Sequence, residues 1–219
     1  MLDRAELIRR LRAVPANAAS LRAERKRISR EVAALDRAAL LALAHHLIQA
    51  RVPRFVAYEL ILNHKPTMES ITQAEVERLG SGMDHWGDVD SFACFIAGPA
   101  WRGGRIPDSV VRAWARSDEW YWRRAALVST VPLNSKAQGG RGDTKRTLAI
   151  CGMLIADRHD LVVKALSWAL RELGKRDPES VRHFLESHGD EVAARVIREV
   201  SNKLDTGRKD PRRTRASMA

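Results

Sequence analysis

The residues best suited to chemistry lie in the run Asp84-His85-Trp86-Gly87-Asp88-Val89-Asp90-Ser91-Phe92. Three carboxylates crowd there at the start of a helix whose core face reads Val89, Ala93 and Ile96. An N-cap role accounts for Asp88, and the field at a helix N-terminus favours an acid in the first turn, at Asp90. Capping does not require that second acid, however, and it leaves Trp86 without a partner in a glycine-containing turn. A carboxylate attracts developing positive charge and an indole face attracts a cation, so the pair is an odd one for a pure scaffold.

Tryptophan is over-used: it supplies six of the twelve aromatic residues. Trp101, Trp114, Trp120 and Trp122 cluster around one helix pair and read as packing. Trp168 differs, because Lys164 precedes it by one turn and Arg171 follows by three residues, which puts all three on one helix face. Either the indole packs beneath the two cationic stems, or the face is a binding surface. Other chemistries find no residues. There is no HExxH, GxSxG or GxGxxG after a strand, and no zinc-deaminase HxE with PCxxC. Cys94 and Cys151 stand alone in apolar stretches with no CxxC pair, as buried thiols in a reducing cytoplasm do. His45-His46 lies in an apolar helix and reads as structural, so no metal and no cofactor is expected.

The elements that must position these residues are all helical. Helix-sized segments are expected at about 35–48, 52–62, 72–79, 89–97, 107–116, 120–131, 144–156, 160–174, 178–187 and 190–203, with short stops containing Gly, Pro, Asn or Asp. Pro53 is placed in a first turn. Trp122-Arg123-Arg124-Ala125-Ala126 lines up with Val162-Val163-Lys164-Ala165-Leu166 at an offset of 40, and Val192-Ala193-Ala194-Arg195-Val196 again sets one cation among small and aliphatic residues. That offset suits two-helix HEAT-like repeats, hence an all-α solenoid with a concave basic face. Arg124, Lys164 and Arg195 either form a ladder along that concavity or are solvated positions on amphipathic helices. One domain is expected over 1–204, with a basic, unfolded tail over 205–219. The segment 134–143 reads as a flexible loop, and its lack of a G-K-[ST] ending argues against a nucleotide site.

The chain of 219 residues carries 38 Lys/Arg against 27 Asp/Glu, a formal charge of +11, with 45% apolar residues. It can therefore fold, and its natural partner is a polyanion, nucleic acid before membrane. No apolar run is long enough to span a bilayer and no signal peptide follows Met1, so a monomeric cytosolic protein that meets DNA in the nucleoid is expected.

Trp86-Gly-Asp-Val-Asp90, Trp122-Arg-Arg-Ala-Ala126 and Ser167-Trp-Ala-Leu-Arg-Glu172, in this order and at these separations, resemble the AlkD-type DNA alkylation repair proteins. The resemblance spans about residues 20–200. It implies a HEAT-like alkylpurine DNA glycosylase that hydrolyses the N-glycosidic bond of cationic N3- and N7-alkylated purines in duplex DNA without flipping the base. It further implies that Asp90 is the catalytic carboxylate, with Trp86 and Trp168 as its aromatic companions. Arg124 and Arg171 would contact DNA, joined by Arg123, Lys164 and Arg195. A non-catalytic DNA- or RNA-binding repeat protein that recognises distorted backbone is the alternative, and a protein-interaction scaffold a third possibility. The enzyme reading requires that the Asp90 carboxylate and both indoles converge on the concave surface near Arg124 and Arg171, with Asp90 not facing away and Trp168 not sealed in the core.

Overall fold

The structure, a computed structural model, describes residues 3–211. Its helices fall into two compact units that meet in sequence after Ile106. The first holds α1 (Arg4–Ala13), α2 (Ala18–Glu31), α3 (Arg37–Gln49), α4 (Arg54–Leu62), α5 (Lys65–Ser70), α6 (Gln73–Gly80), α7 (Trp86–Phe92) and α8 (Gly98–Arg102). The second holds α9 (Asp108–Ala115), α10 (Trp120–Val128), α11 (Val131–Asn134), α12 (Thr144–Met153), α13 (Asp160–Leu173), α14 (Pro178–Ser187) and α15 (Ala194–Thr206). No strand occurs among the described residues, and the all-α expectation holds. The expected tail begins inside α15, and its residues 212–219 lie outside the described residues.

Local chemistry sets most boundaries. Asp3, Asn17, Asp36, Thr72, Asp143 and Asp177 each cap a helix by accepting a backbone N–H through the side chain, which satisfies donors the first turn leaves unpaired. Pro53 sits just outside α4 rather than in its first turn, because the helix begins at Arg54. The segment expected as one helix over 120–131 breaks instead at Ser129-Thr130 and resumes as α11. Pro132 has no N–H to continue the α10 ladder, so the chain tightens there, with the Thr130 N–H donating to Leu127 O at 3.1 Å.

The first unit is built around α4, which packs on α2, α3 and α7. Val56, Ala57, Tyr58, Leu60 and Ile61 of α4 are buried, and so is Glu59. Arg22 Nε and Arg25 Nη2 of α2 approach the Glu59 carboxylate at 2.7 and 2.9 Å. The buried Glu24 likewise meets Arg10 at 2.6 Å and Arg27 at 3.1 Å. Much of the N-terminal positive charge is thus engaged in holding α1, α2 and α4 together. In the second unit α13 is central, packed against α10, α11, α12 and α15.

The segment 134–143 is built as a fixed turn, which corrects the flexible loop expected from its glycines. Asn134 is buried: its Nδ2 donates to Thr147 Oγ1 at 2.8 Å and to Thr130 O at 3.0 Å, and its Oδ1 accepts the Asp143 N–H at 2.9 Å. Arg176 then ties the turn to the end of α13, donating to Asn134 O at 2.9 Å and Gly140 O at 2.7 Å. Gly139 takes a left-handed φ of 78°. Gly140 presses so closely on the preceding chain that a Cβ there would lie 2.6 Å from Pro132 O. Gly140→Ala is therefore expected to cost about 1–3 kcal/mol, as other overpacked positions do, read as a lower urea midpoint with an unchanged slope. A midpoint equal to wild type would show that the turn yields freely.

Candidate functional site

Helix α7 starts three residues earlier than its hydrophobic pattern suggests. His85 is extended and caps it, its Nδ1 accepting the Gly87 N–H at 3.1 Å. A Cβ at position 87 would come within 3.1 Å of that nitrogen, so glycine suits the cap. The N-cap role expected for Asp88 is corrected accordingly: Asp88 lies in the first turn. There its carboxylate faces Arg54 Nε at 3.5 Å, while Arg54 donates to Gly82 O at 2.6 Å and Ser81 O at 2.9 Å. Burial pushes the Asp88 carboxyl above its ordinary value, and the Arg54 charge opposes that shift. Arg54, which carried no signal in the sequence pattern, thus braces the chain that leads into α7.

Because Trp86 is inside the helix, Asp90 follows it by one turn on the same face. The Trp86 indole is 50% exposed, the large apolar side chain that stands out in this respect. The His85 ring lies against it, centroid to centroid 5.1 Å. Asp90 is partly exposed. The opposite face buries Val89, Phe92, Ala93 and Ile96 completely, and Phe92 meets Tyr58 edge-on at 6.0 Å. Ala93–Ala97 form a π-helical turn between α7 and α8, closed by the Gly98 N–H on Ala93 O. Pro99 just beyond removes a donor from the ladder, one recognised cause of such irregularity.

In the second unit α13 buries Val162, Val163, Ala165, Leu166, Ser167, Ala169, Leu170 and Leu173. What it leaves partly open is one stripe, Leu161, Lys164, Trp168 and Arg171, spaced by three, four and three residues. Trp168 therefore shares a face with both cations, as the spacing predicts, and is half-buried rather than sealed in the core.

The cations around this stripe are held by two acids. Asp160 Oδ2 meets Lys164 Nζ at 2.6 Å, and its Oδ1 meets Arg195 Nη1 at 2.8 Å. Glu199 of α15, buried to 6% exposure, accepts from Ser167 Oγ at 2.6 Å and Arg195 Nε at 3.1 Å, and pairs with Lys209 at 3.2 Å. Arg171 Nε donates to the same Ser167 hydroxyl at 3.2 Å. Burial pulls the Arg171 guanidinium below its ordinary value, Glu199 and Glu172 oppose this, and an arginine stays charged throughout. Sequence reasoning missed Glu199, Asp160 and Lys209; the traces were Glu199 four residues after Arg195 and Asp160 four residues before Lys164, both ion-pair spacings on a helix.

Arg124 is nearly buried, and its Nη1 donates to Leu161 O. The three repeat cations Arg124, Lys164 and Arg195 thus all reach the first turn of α13, two through Asp160 and one through the backbone. Arg123 is engaged as well: Nε meets Asp157 at 2.7 Å, and Nη1 donates to Ser117 O and Asp118 O. Both guanidiniums serve the fold at these positions. Trp114 and Trp122 pack at 5.1 Å, and Trp120 stacks on His159 at 5.2 Å, while Trp101 is buried in the first unit. Among the described residues no cluster of three or more His, Cys, Asp or Glu could hold a metal ion, and no helix is long and apolar enough to cross a membrane.

A family model described as DNA alkylation repair enzyme matches residues 16–204. The chain belongs to that family. A role in DNA alkylation repair, with DNA as partner, follows from that membership. A solved structure described as a predicted DNA alkylation repair enzyme from Enterococcus faecalis shares the fold, with a TM-score of 0.72 at 17% identity over 92% of this chain and 94% of that one. None of the curated proteins matches.

The ion cluster of this alkylation repair protein has a pH signature. Burial raises the Glu199 carboxyl, but the hydrogen bonds from Ser167, Arg195 and Lys209 outweigh it, and its pKa falls below the ordinary 4.5. An acid lowered on folding stabilises the fold at pH above 4.5, and this stability is lost as pH drops through the folded value. Urea unfolding should therefore separate wild type from Glu199→Gln more widely at pH 7 than at pH 3. A gap unchanged between the two pH values would contradict the ionised state.

Proposed function

We propose that the protein is a DNA glycosylase that hydrolyses the N-glycosidic bond of cationic N3- and N7-alkylated purines in duplex DNA without flipping the base. The observation that carries this reading is the pairing of an exposed indole, Trp86, with the Asp90 carboxylate one turn along the same helix face. It gains support from Trp168, which sits between Lys164 and Arg171 on the open stripe of α13.

The chemistry follows from the charge of the lesion. An alkylated purine already carries positive charge, so it departs with the bonding electron pair as a neutral base and needs no general acid. The deoxyribose becomes oxocarbenium-like, and the Asp90 carboxylate stabilises that charge electrostatically. Water, oriented by Asp90, then bonds to the anomeric carbon and releases a proton to solvent, so that a neutral base, the free sugar and one proton result. The indole faces of Trp86 and Trp168 favour a cationic base or sugar edge over neutral DNA. Lys164, Arg171 and Arg195 contact phosphates and set the register of the duplex; Arg123 and Arg124 hold the helices that present them. This chemistry needs neither a metal nor a diffusible cofactor.

Methylated duplex DNA is the test, with free bases separated chromatographically. Wild type should release 3-methyladenine or 7-methylguanine and leave unmodified bases in place. Trp86→Ala should slow that release about tenfold, in line with a desolvated cation–π contact, while duplex affinity stays close to wild type. Salt-sensitive DNA binding with no base release would favour a non-catalytic DNA-binding protein.

A further inference from the structure

The glycosylase reading asks Arg171 and Arg195 to meet phosphates, and the structure contains a device that fixes them. Glu199 stands at the α13–α15 interface with almost no exposed surface, yet it is not there for packing: its carboxylate is met by a hydroxyl and by cations. One oxygen accepts from Ser167 Oγ at 2.6 Å and faces Lys209 Nζ at 3.2 Å; the other accepts from Arg195 Nε at 3.1 Å. Ser167 is fully buried, and its oxygen in turn accepts from Arg171 Nε at 3.2 Å. A bond through Nε fixes the plane of the Arg171 guanidinium, and Arg195 is held at two points, through Nε by Glu199 and through Nη1 by Asp160 at 2.8 Å.

Arg171, Arg195 and Lys209 gather at this point and Lys164 joins them through Asp160, four cations against three acids, Asp160, Glu199 and the Glu172 that faces Arg171. The cluster keeps a positive excess while its members come from three separate segments. Long cationic side chains otherwise sample many rotamers, and ordering them on binding costs affinity, so a buried carboxylate that orders them beforehand favours an anion.

We propose that Glu199 is a positioning residue for DNA phosphate binding: its one carboxylate sets Arg195 and Lys209 directly, and Arg171 through the Ser167 hydroxyl, as a single anion-binding array next to Trp168. This rests on DNA as the partner in the proposed function. It adds Lys209 to the cations that meet phosphates and gives Ser167 the task of linking Arg171 to the buried acid.

The proposal makes a prediction whose sign opposes simple electrostatics. Glu199→Gln removes a negative charge, and by long-range attraction alone it should tighten DNA binding. If Glu199 positions the cations, binding weakens instead. Fluorescence anisotropy of a labelled undamaged duplex, titrated with the full chain at several potassium chloride concentrations, reads both affinity and the number of phosphates engaged. Glu199→Gln is expected to bind about three- to tenfold more weakly, with a salt slope shallower by about 0.9 for each phosphate no longer engaged. Ser167→Ala keeps the acid and nearly the same volume, and carries the test if Glu199→Gln does not fold. It should weaken binding in the wild-type background and have no further effect in Arg171→Gln. Binding by Glu199→Gln equal to or tighter than wild type, or additive losses in the Ser167→Ala/Arg171→Gln pair, would overturn the positioning role. Wild type that ignores duplex DNA would overturn the DNA reading and this inference together. Wild type that binds but releases no base, with the variants behaving as expected, would remove the glycosylase and leave the array standing.

Discussion

The near-complete burial of α13 is the constraint on which the second unit turns. Helices α10, α11, α12 and α15 close around it and leave a single stripe in contact with solvent. A helix so enclosed has no freedom to rotate, because any turn about its axis would drive Lys164 or Arg171 into the core and expose Val162 or Leu170. The order Lys164, Trp168, Arg171 along that stripe is therefore set by packing on the far side of the helix. The proposed contact with DNA phosphates gains by this rigidity, since the spacing of the stripe does not relax when nothing is bound.

Buried acids are the complementary theme. Glu24 and Glu59 in the first unit and Glu199 in the second each meet two cations or more, and none of the three is placed where solvent could screen it well. Such clusters are seldom a source of large net stability, because removing both charges from water costs nearly what their attraction returns. Their value lies in specificity: an arginine with a buried carboxylate partner has one place to be. The formal charge of +11 consequently overstates how much positive charge is open to a partner. Arg10, Arg25, Arg123 and Arg124 are engaged within the fold, and the surface available to DNA is narrower than composition suggests.

Much of this was legible in the residues. Helix class and most helix positions follow from apolar periodicity and capping signals, and the shared face of Lys164, Trp168 and Arg171 follows from spacing alone. The failures have physical causes. The start of α7 is hidden because a histidine ring nitrogen, not Asp88, accepts the first free N–H, and this pulls Trp86 and Gly87 into the helix. The stiffness of 134–143 is hidden because it depends on Asn134 and Arg176, the latter 42 residues distant. Glycine-rich composition reads as freedom until the close approach of Gly140 to Pro132 is known. The burial of Arg124 could not be read from its repeat position, since Lys164 and Arg195 at equivalent positions keep part of their surface open. The engagement of Glu199 depends likewise on which helix faces α13, a tertiary fact.

The central claim concerns one carboxylate, and single-turnover base release by Asp90→Asn measured beside its duplex affinity tests it most directly. The substitution keeps the shape of the side chain and removes its charge. Loss of 3-methyladenine and 7-methylguanine release with unchanged DNA binding is the result expected if Asp90 stabilises the oxocarbenium-like sugar. Release by Asp90→Asn at the wild-type rate would contradict that role.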